Sequence, residues 1–157
     1  MSQFKPVGEH VYIGPQPSPD DLEDARQLGI KTVIDFRLPC ETASPNETLV
    51  KRFGLDYIHI PVDKALPLER QIDDLNAAMV TNQGPFLLHC ATGARAALLL
   101  ALSRARQNGW TAEQTFAHAQ TMGFDLRASP AFSSFVNQVI SANTLPADKL
   151  IGDPKLV

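Results

Sequence analysis

At 157 residues the chain is long enough for one domain with its own core, and 44% hydrophobic and 20% charged residues mark an ordinary globular composition. A formal charge of −3 excludes a broadly basic nucleic-acid surface, and no apolar stretch reaches the ~18 residues of a membrane span, so an anionic ligand has to be attracted locally. The two cysteines, Cys40 and Cys90, are too few for a disulfide framework and too far apart for a CxxC metal site; with no apolar signal segment in Met1 to Gly8, the pattern suits the cytoplasm.

His10 to Gly14 (HVYIG) reads as a short strand, ended by Pro15, Pro17 and Pro19. Ser18 then caps a helix with Pro19 at its first position and Asp20 and Asp21 in its first turn; Leu22, Ala25 and Leu28 form its apolar face and Gly29 ends it. Lys31 to Arg37 (KTVIDFR) is a β-branched strand. The loop Leu38 to Pro45 holds Cys40 and Glu41, and a short helix from Asn46 to Phe53 closes at Gly54. Leu55 to Pro61 (LDYIHIP) is the third strand, followed by the loop Val62 to Pro67 with Asp63 and a helix striped by Leu68, Ile72, Leu75 and Met79. Gly84-Pro85 ends that crossover, and Phe86 to His89 is a fourth strand running into Cys90. The helix from Ala94 to about Gln107 is apolar on nearly every side at its start, as a central helix is, and stops at Gly109. Thr111 with Gln114 makes a capping box for a helix reaching Met122; Ser129-Pro130 opens a last helix that faces inward through Phe132, Phe135, Val136 and Val139, and residues 144–157 read as a tail of the single domain 1–157.

Strands alternating with crossover helices argue for an α/β fold, a short and mostly parallel sheet of about four strands flanked by helices, whose ligands bind at the carboxyl ends of the strands. Arg37, Cys40, Asp63 and Cys90 all fall at or just after such ends.

The chemistry concentrates in Phe86-Leu87-Leu88-His89-Cys90-Ala91-Thr92-Gly93-Ala94-Arg95, a strand, a small-residue loop and a helix start. The first N–H groups of a helix have no internal partner and the macrodipole is positive there, which favours an anion. A cysteine in that field, with an arginine five residues on, is a candidate thiolate. Arg95 supplies a planar fork for two oxygens of a phosphate, and the bare residues Ala91, Thr92, Gly93 and Ala94 let successive amides converge on it. A cysteine ending a strand is, on its own, more often a small buried hydrophobe; Gly93 and Arg95 shift the balance to the reactive reading.

These residues resemble the signature of dual-specificity, cysteine-dependent phosphatases, His-Cys-x-x-Gly-x-x-Arg followed by a hydroxyl residue. Two departures stand out: four residues rather than five separate Cys90 from Arg95, and Ala96 takes the hydroxyl's place. From Val11-Tyr12-Ile13-Gly14-Pro15-Gln16-Pro17-Ser18 through Gly123-Phe124-Asp125-Leu126 the chain is similar to a bacterial phosphatase-like family, often joined to β-lactamase-like hydrolases, that also has Cys-x4-Arg. The loop and Val33-Ile34-Asp35-Phe36-Arg37 also resemble rhodaneses, although the Gly-His-Ile-Pro-Gly-Ala segment of those proteins is missing. Tyr57-Ile58-His59-Ile60-Pro61-Val62-Asp63 looks like the acid-bearing segment of the phosphatases.

The phosphatase resemblance implies Cys90 as nucleophile, Arg95 as oxyanion clamp and Asp63 as general acid, with no metal or cofactor and with a phosphorylated small molecule or protein as substrate. Asp63 has a plainer reading as a turn residue before Pro67. Asp35 reads as a loop brace, Arg37 as a partner of Asp35 or Glu41, and His89 as a group that fixes loop geometry. Cys40, in a loop at the same sheet edge as Cys90, is a candidate redox partner for it. Two other functions stay open on these residues: a sulfurtransferase using a Cys90 persulfide, and a phosphate-binding module without turnover. Neither the identity of the substrate nor the oligomeric state is legible.

Overall fold

The computed structural model describes residues 3–41 and 46–151, with side chains described to residue 142. Its strands are β1 (Lys5–Pro6), β2 (Val11–Gly14), β3 (Thr32–Asp35), β4 (Asp56–His59) and β5 (Phe86–His89). The helices are α1 (Pro19–Gln27), α2 (Asn46–Arg52), α3 (Glu69–Thr81), α4 (Ala94–Asn108), α5 (Ala112–Thr121) and α6 (Pro130–Ile151). The sheet runs in the order β1-β2-β5-β3-β4, parallel throughout except for β1, which pairs antiparallel with β2.

The expected α/β sheet is present, with one strand more than the four read from the sequence. The addition is β1, two exposed residues with no apolar pattern to betray them. Past residue 143, where the sequence reads as a tail, α6 continues to Ile151; residues 152–157 lie outside the described residues. Among the described residues no helix is long and apolar enough to cross a membrane.

Alternation along each strand divides the core in two. Ile34 and Leu88 face a large cluster built with α3, α4, α5 and α6, whereas Val33 and Leu87 face a smaller one with Leu22 and Ala25 of α1 and Val50 of α2. The α4 residues from Arg95 to Ser103 are all buried, which explains why its sequence shows no polar face at the start. β5 is central between β2 and β3, so the turn after it lies in the middle of the carboxyl edge.

Candidate active site

β5 ends at His89 and α4 starts at Ala94, and the four residues between form a tight loop over the sheet edge. Gly93 caps α4 with φ +105°, in the left-handed region. A Cβ there would stand 2.8 Å from the Phe124 ring and 3.4 Å from the Gly14 carbonyl, so space and backbone both require glycine. The Gly93 N–H donates to the Cys90 sulfur at 3.0 Å, and the Ala94 N–H to Thr92 Oγ1 at 3.3 Å. Cys90 is 1% exposed, its thiol turned toward the start of α4.

Arg95 is held from two directions. Its Nη1 donates to Glu41 Oε2 at 2.7 Å and to the Val62 carbonyl at 2.9 Å, and its Nη2 donates to Glu41 Oε1 at 2.7 Å. Of the five N–H groups of a guanidinium, these bonds use both on Nη1 and one on Nη2. The edge formed by Nε and the second Nη2 hydrogen is used by neither partner; with the Cys90 sulfur beside the guanidinium, it is a parallel pair of donors suited to two oxygens of one oxyanion. Glu41 foremost, with the Cys90 sulfur adding to it, holds Arg95 above its ordinary range. In return Arg95, ahead of the Leu38 amide, brings the Glu41 carboxyl down to about 2.

A pocket of about 210 Å³ lies over this pair, lined by Leu38, Glu41, Asp63, Lys64 and Arg95. Asp63 is therefore at the mouth with Arg95, and it is also the turn residue of its plainer reading: Oδ1 accepts the Ala65 amide at 2.9 Å. The Asp63 side chain is exposed. Cys40 is exposed on a 3-10 turn, Pro39–Glu41, immediately before the residue that grips Arg95. Among the described residues no group of three or more His, Cys, Asp or Glu could hold a metal.

Beneath the loop is a buried polar network. Asp35 accepts the Arg37 amide, Nε and Nη2, each at 3.0 Å, the Asn46 amide at 3.2 Å and the Tyr57 hydroxyl at 2.7 Å. Burial alone would raise its carboxyl, but these bonds, Arg37 first, bring it down to about 2. Burial and Asp35 together push the Tyr57 phenol above its usual range. His89 Nδ1 donates to the Cys90 carbonyl at 3.3 Å, which leaves Nε2 to accept from Asn46 at 3.4 Å. Burial, the dominant influence, pushes His89 down to about 4, so the ring is neutral at pH 7. Arg37 thus pairs with Asp35, not Glu41, and His89 braces the backbone of Cys90. Sequence reasoning missed Glu41 as the partner of Arg95, along with Asn46 and Tyr57. Nothing periodic links residues 54 positions apart; the one available signal is an acid in the loop after the strand beside β5.

The family model of the beta-lactamase hydrolase-like protein, phosphatase-like domain, matches residues 3–107. The Beta-lactamase hydrolase-like protein of Xylella fastidiosa (strain Temecula1) is 29% identical over 127 residues, a match to 76% of this chain and 29% of that protein, so the chain spans under a third of its curated relative. A DUF442 protein of Shewanella putrefaciens CN-32, assigned as a phosphatase, has a crystal structure that superposes with TM-score 0.74 at 23% identity, covering 90% of this chain and 93% of that one. One from Neisseria meningitidis Z2491 with the same assignment gives 0.73 at 27% identity, covering 88% and 99%. Since the family match takes in every strand and the whole loop from Cys90 to Arg95, the chain belongs to the phosphatase-like domain family of beta-lactamase hydrolase-like proteins.

Proposed function

We propose that the chain is a cysteine-dependent phosphatase that hydrolyses a phosphomonoester through a phospho-cysteine intermediate. The observation that carries this reading is the pairing of a buried Cys90 sulfur, bonded by a loop amide at the start of α4, with an Arg95 whose remaining donor edge is fixed by Glu41.

In the first step the Cys90 thiolate attacks phosphorus; the P–S bond forms as the P–O bond to the leaving group breaks, and Asp63 gives its proton to the departing oxygen. Loop amides and Arg95 hold the three other oxygens while their charge rises. In the second step water attacks phosphorus and returns a proton to Asp63, and the P–S bond breaks to restore the thiolate and release phosphate. The Asp63 pocket over Arg95 supports that placement of the acid. Hydrolysis of an aryl phosphate by the wild-type chain, lost in Cys90→Ser, is the expected result; phosphate release unchanged in Cys90→Ser would overturn the mechanism.

One observation favours a second reading. The Cys-x4-Arg ring is a residue shorter than that of the phosphatases it resembles, and a tighter ring of amides suits a single extra sulfur atom better than a phosphate group. Thiosulfate would then give its outer sulfur to Cys90, releasing sulfite, and cyanide would remove it as thiocyanate. Thiocyanate formation without phosphate release would select this reading over the first.

A further inference from the structure

A second pocket, of about 240 Å³, sets Gln3, Lys5 and Thr92 beside Gly123 in an otherwise apolar lining that includes Ile13 and Phe124. Thr92 belongs to the candidate phosphate loop, so this pocket opens on the loop itself. No acid lines it, and Lys5 is its one ionisable side chain. The lysine is exposed but its end reaches the pocket: a Cβ on Gly123, whose φ is +97°, would stand 2.8 Å from Lys5 Nζ, so the ammonium rests against a bare Cα. Among the described residues no carboxylate forms an ion pair with it.

Strand register explains how it gets there. Lys5 pairs with Ile13, and Ile13 with Leu88, which is two residues before Cys90. Two strand spacings separate Lys5 from β5, about 10 Å. The two-residue β1 has both residues exposed and adds little to the core; what it does is hold a cation beside the carboxyl edge. In a chain of net charge −3 this is a local attraction for anions.

We propose that this pocket is a subsite for a second anionic group, so that the chain prefers phosphomonoesters carrying another phosphate or a carboxylate. The proposal rests on the phosphatase reading only in taking the Cys90 loop as the first anion's site. The competing role for Lys5 is to complement the carbonyls at the end of α5, which stops at Thr121.

The test is calorimetric titration of the wild-type protein, Lys5→Gln and Lys5→Arg with ethylphosphonate, α,ω-alkane bisphosphonates of two to eight carbons, and ω-phosphonoalkanoates. None of these has an ester to hydrolyse. The best bisphosphonate should bind wild type and Lys5→Arg about fivefold or more tightly than ethylphosphonate, and that ratio should fall in Lys5→Gln to the statistical factor of about two. The alkanoates show whether a carboxylate serves as well as a phosphate. A ratio unchanged in Lys5→Gln, no preference in wild type, or no binding of any probe would overturn the subsite. Phenyl phosphate turnover, measured beside it, separates the two readings: turnover without a preference sinks the subsite alone, and a Lys5-dependent preference without turnover sinks the phosphatase reading alone.

Discussion

Glu41 acts on the proposed site through Arg95, beside which it lines the same pocket. It takes one edge of Arg95 and so directs the other toward the loop, and a misplacement of about 1 Å at such a group costs up to about 100-fold. Glu41→Gln, which keeps the shape but only one acceptor, should lower kcat/KM on an aryl phosphate about 10- to 100-fold; an unchanged value would show that Arg95 needs no guide. Asp63 permits an equally clean substitution. Asn at that position keeps the oxygen that accepts the Ala65 amide and removes the acid, so Asp63→Asn should leave the turn intact. Its alkaline limb should flatten, with a loss of about 10²- to 10⁴-fold on alkyl phosphates and far less on good leaving groups. Equal activity on alkyl phosphates would reduce Asp63 to its turn role. Thr92 is the one hydroxyl on the loop, its oxygen accepting the Ala94 amide, and it stands nearest to replacing the hydroxyl that Ala96 lacks. Thr92→Ala should therefore slow the breakdown of the phospho-cysteine, seen as a larger burst relative to steady-state turnover; an unaltered ratio would remove Thr92 from the mechanism.

Among the elements, those that were legible share a physical cause. The Ser18 N-cap, the Thr111 capping box, the Gly109 stop and the all-apolar start of α4 are local signals, and each appears where sequence places it, with Asp21 adding a return bond to the Ser18 amide that completes a second box. β1 is not legible because its two residues pair with partners eight and six positions away and are themselves exposed, so neither alternation nor a tight turn announces it. The same holds for the turn Pro39–Glu41. Its residue types say only that it is a loop, while its importance comes from delivering Glu41 across the sheet edge to Arg95. Cys40 travels with that turn, exposed, whereas Cys90 is buried. A disulfide needs Cα atoms about 4.4–6.8 Å apart, and one made from Cys40 would be anchored at the residue next to Glu41, the partner of Arg95. Mild peroxide should then give a Cys40–Cys90 linked peptide with loss of activity that thiol restores, and Cys40→Ser should convert this to irreversible Cys90 sulfinic acid. Equal sulfinic acid formation in both proteins would end the idea.

At the scale of the molecule, the network under the loop ties β3, β4, β5 and α2 together through buried charge, paired between Asp35 and Arg37 but with Arg37 Nη1 left without a partner, and its cost should surface as acid sensitivity. His89 protonates near 6.5 when unfolded but only near 4 in the fold. Between those values the unfolded chain binds a proton that the folded chain refuses, so stability is full above pH 6.5 and falls as pH drops toward 4. The loss from this ring alone is about 3 kcal/mol. His118, lowered by burial and by Arg104, tilts the same window in the same direction. Asp35, depressed from 3.8 to about 2, and Glu41, depressed from 4.5 to about 2, contribute stability above their unfolded values and lose it as pH falls to 2. Resistance to urea should thus fall steadily from pH 6.5 downward, with no plateau near pH 5. His89→Gln should be less stable at pH 7, having lost a buried hydrogen-bonding ring, yet show a shallower decline between pH 6.5 and 4, the remainder belonging to His118. In wild type, the His89 ring followed by NMR should stay neutral until about pH 4. A His89 signal titrating near 6.5 in the folded protein, or equal slopes for the two proteins across that window, would show that the network accommodates the charged ring and that acid acts elsewhere.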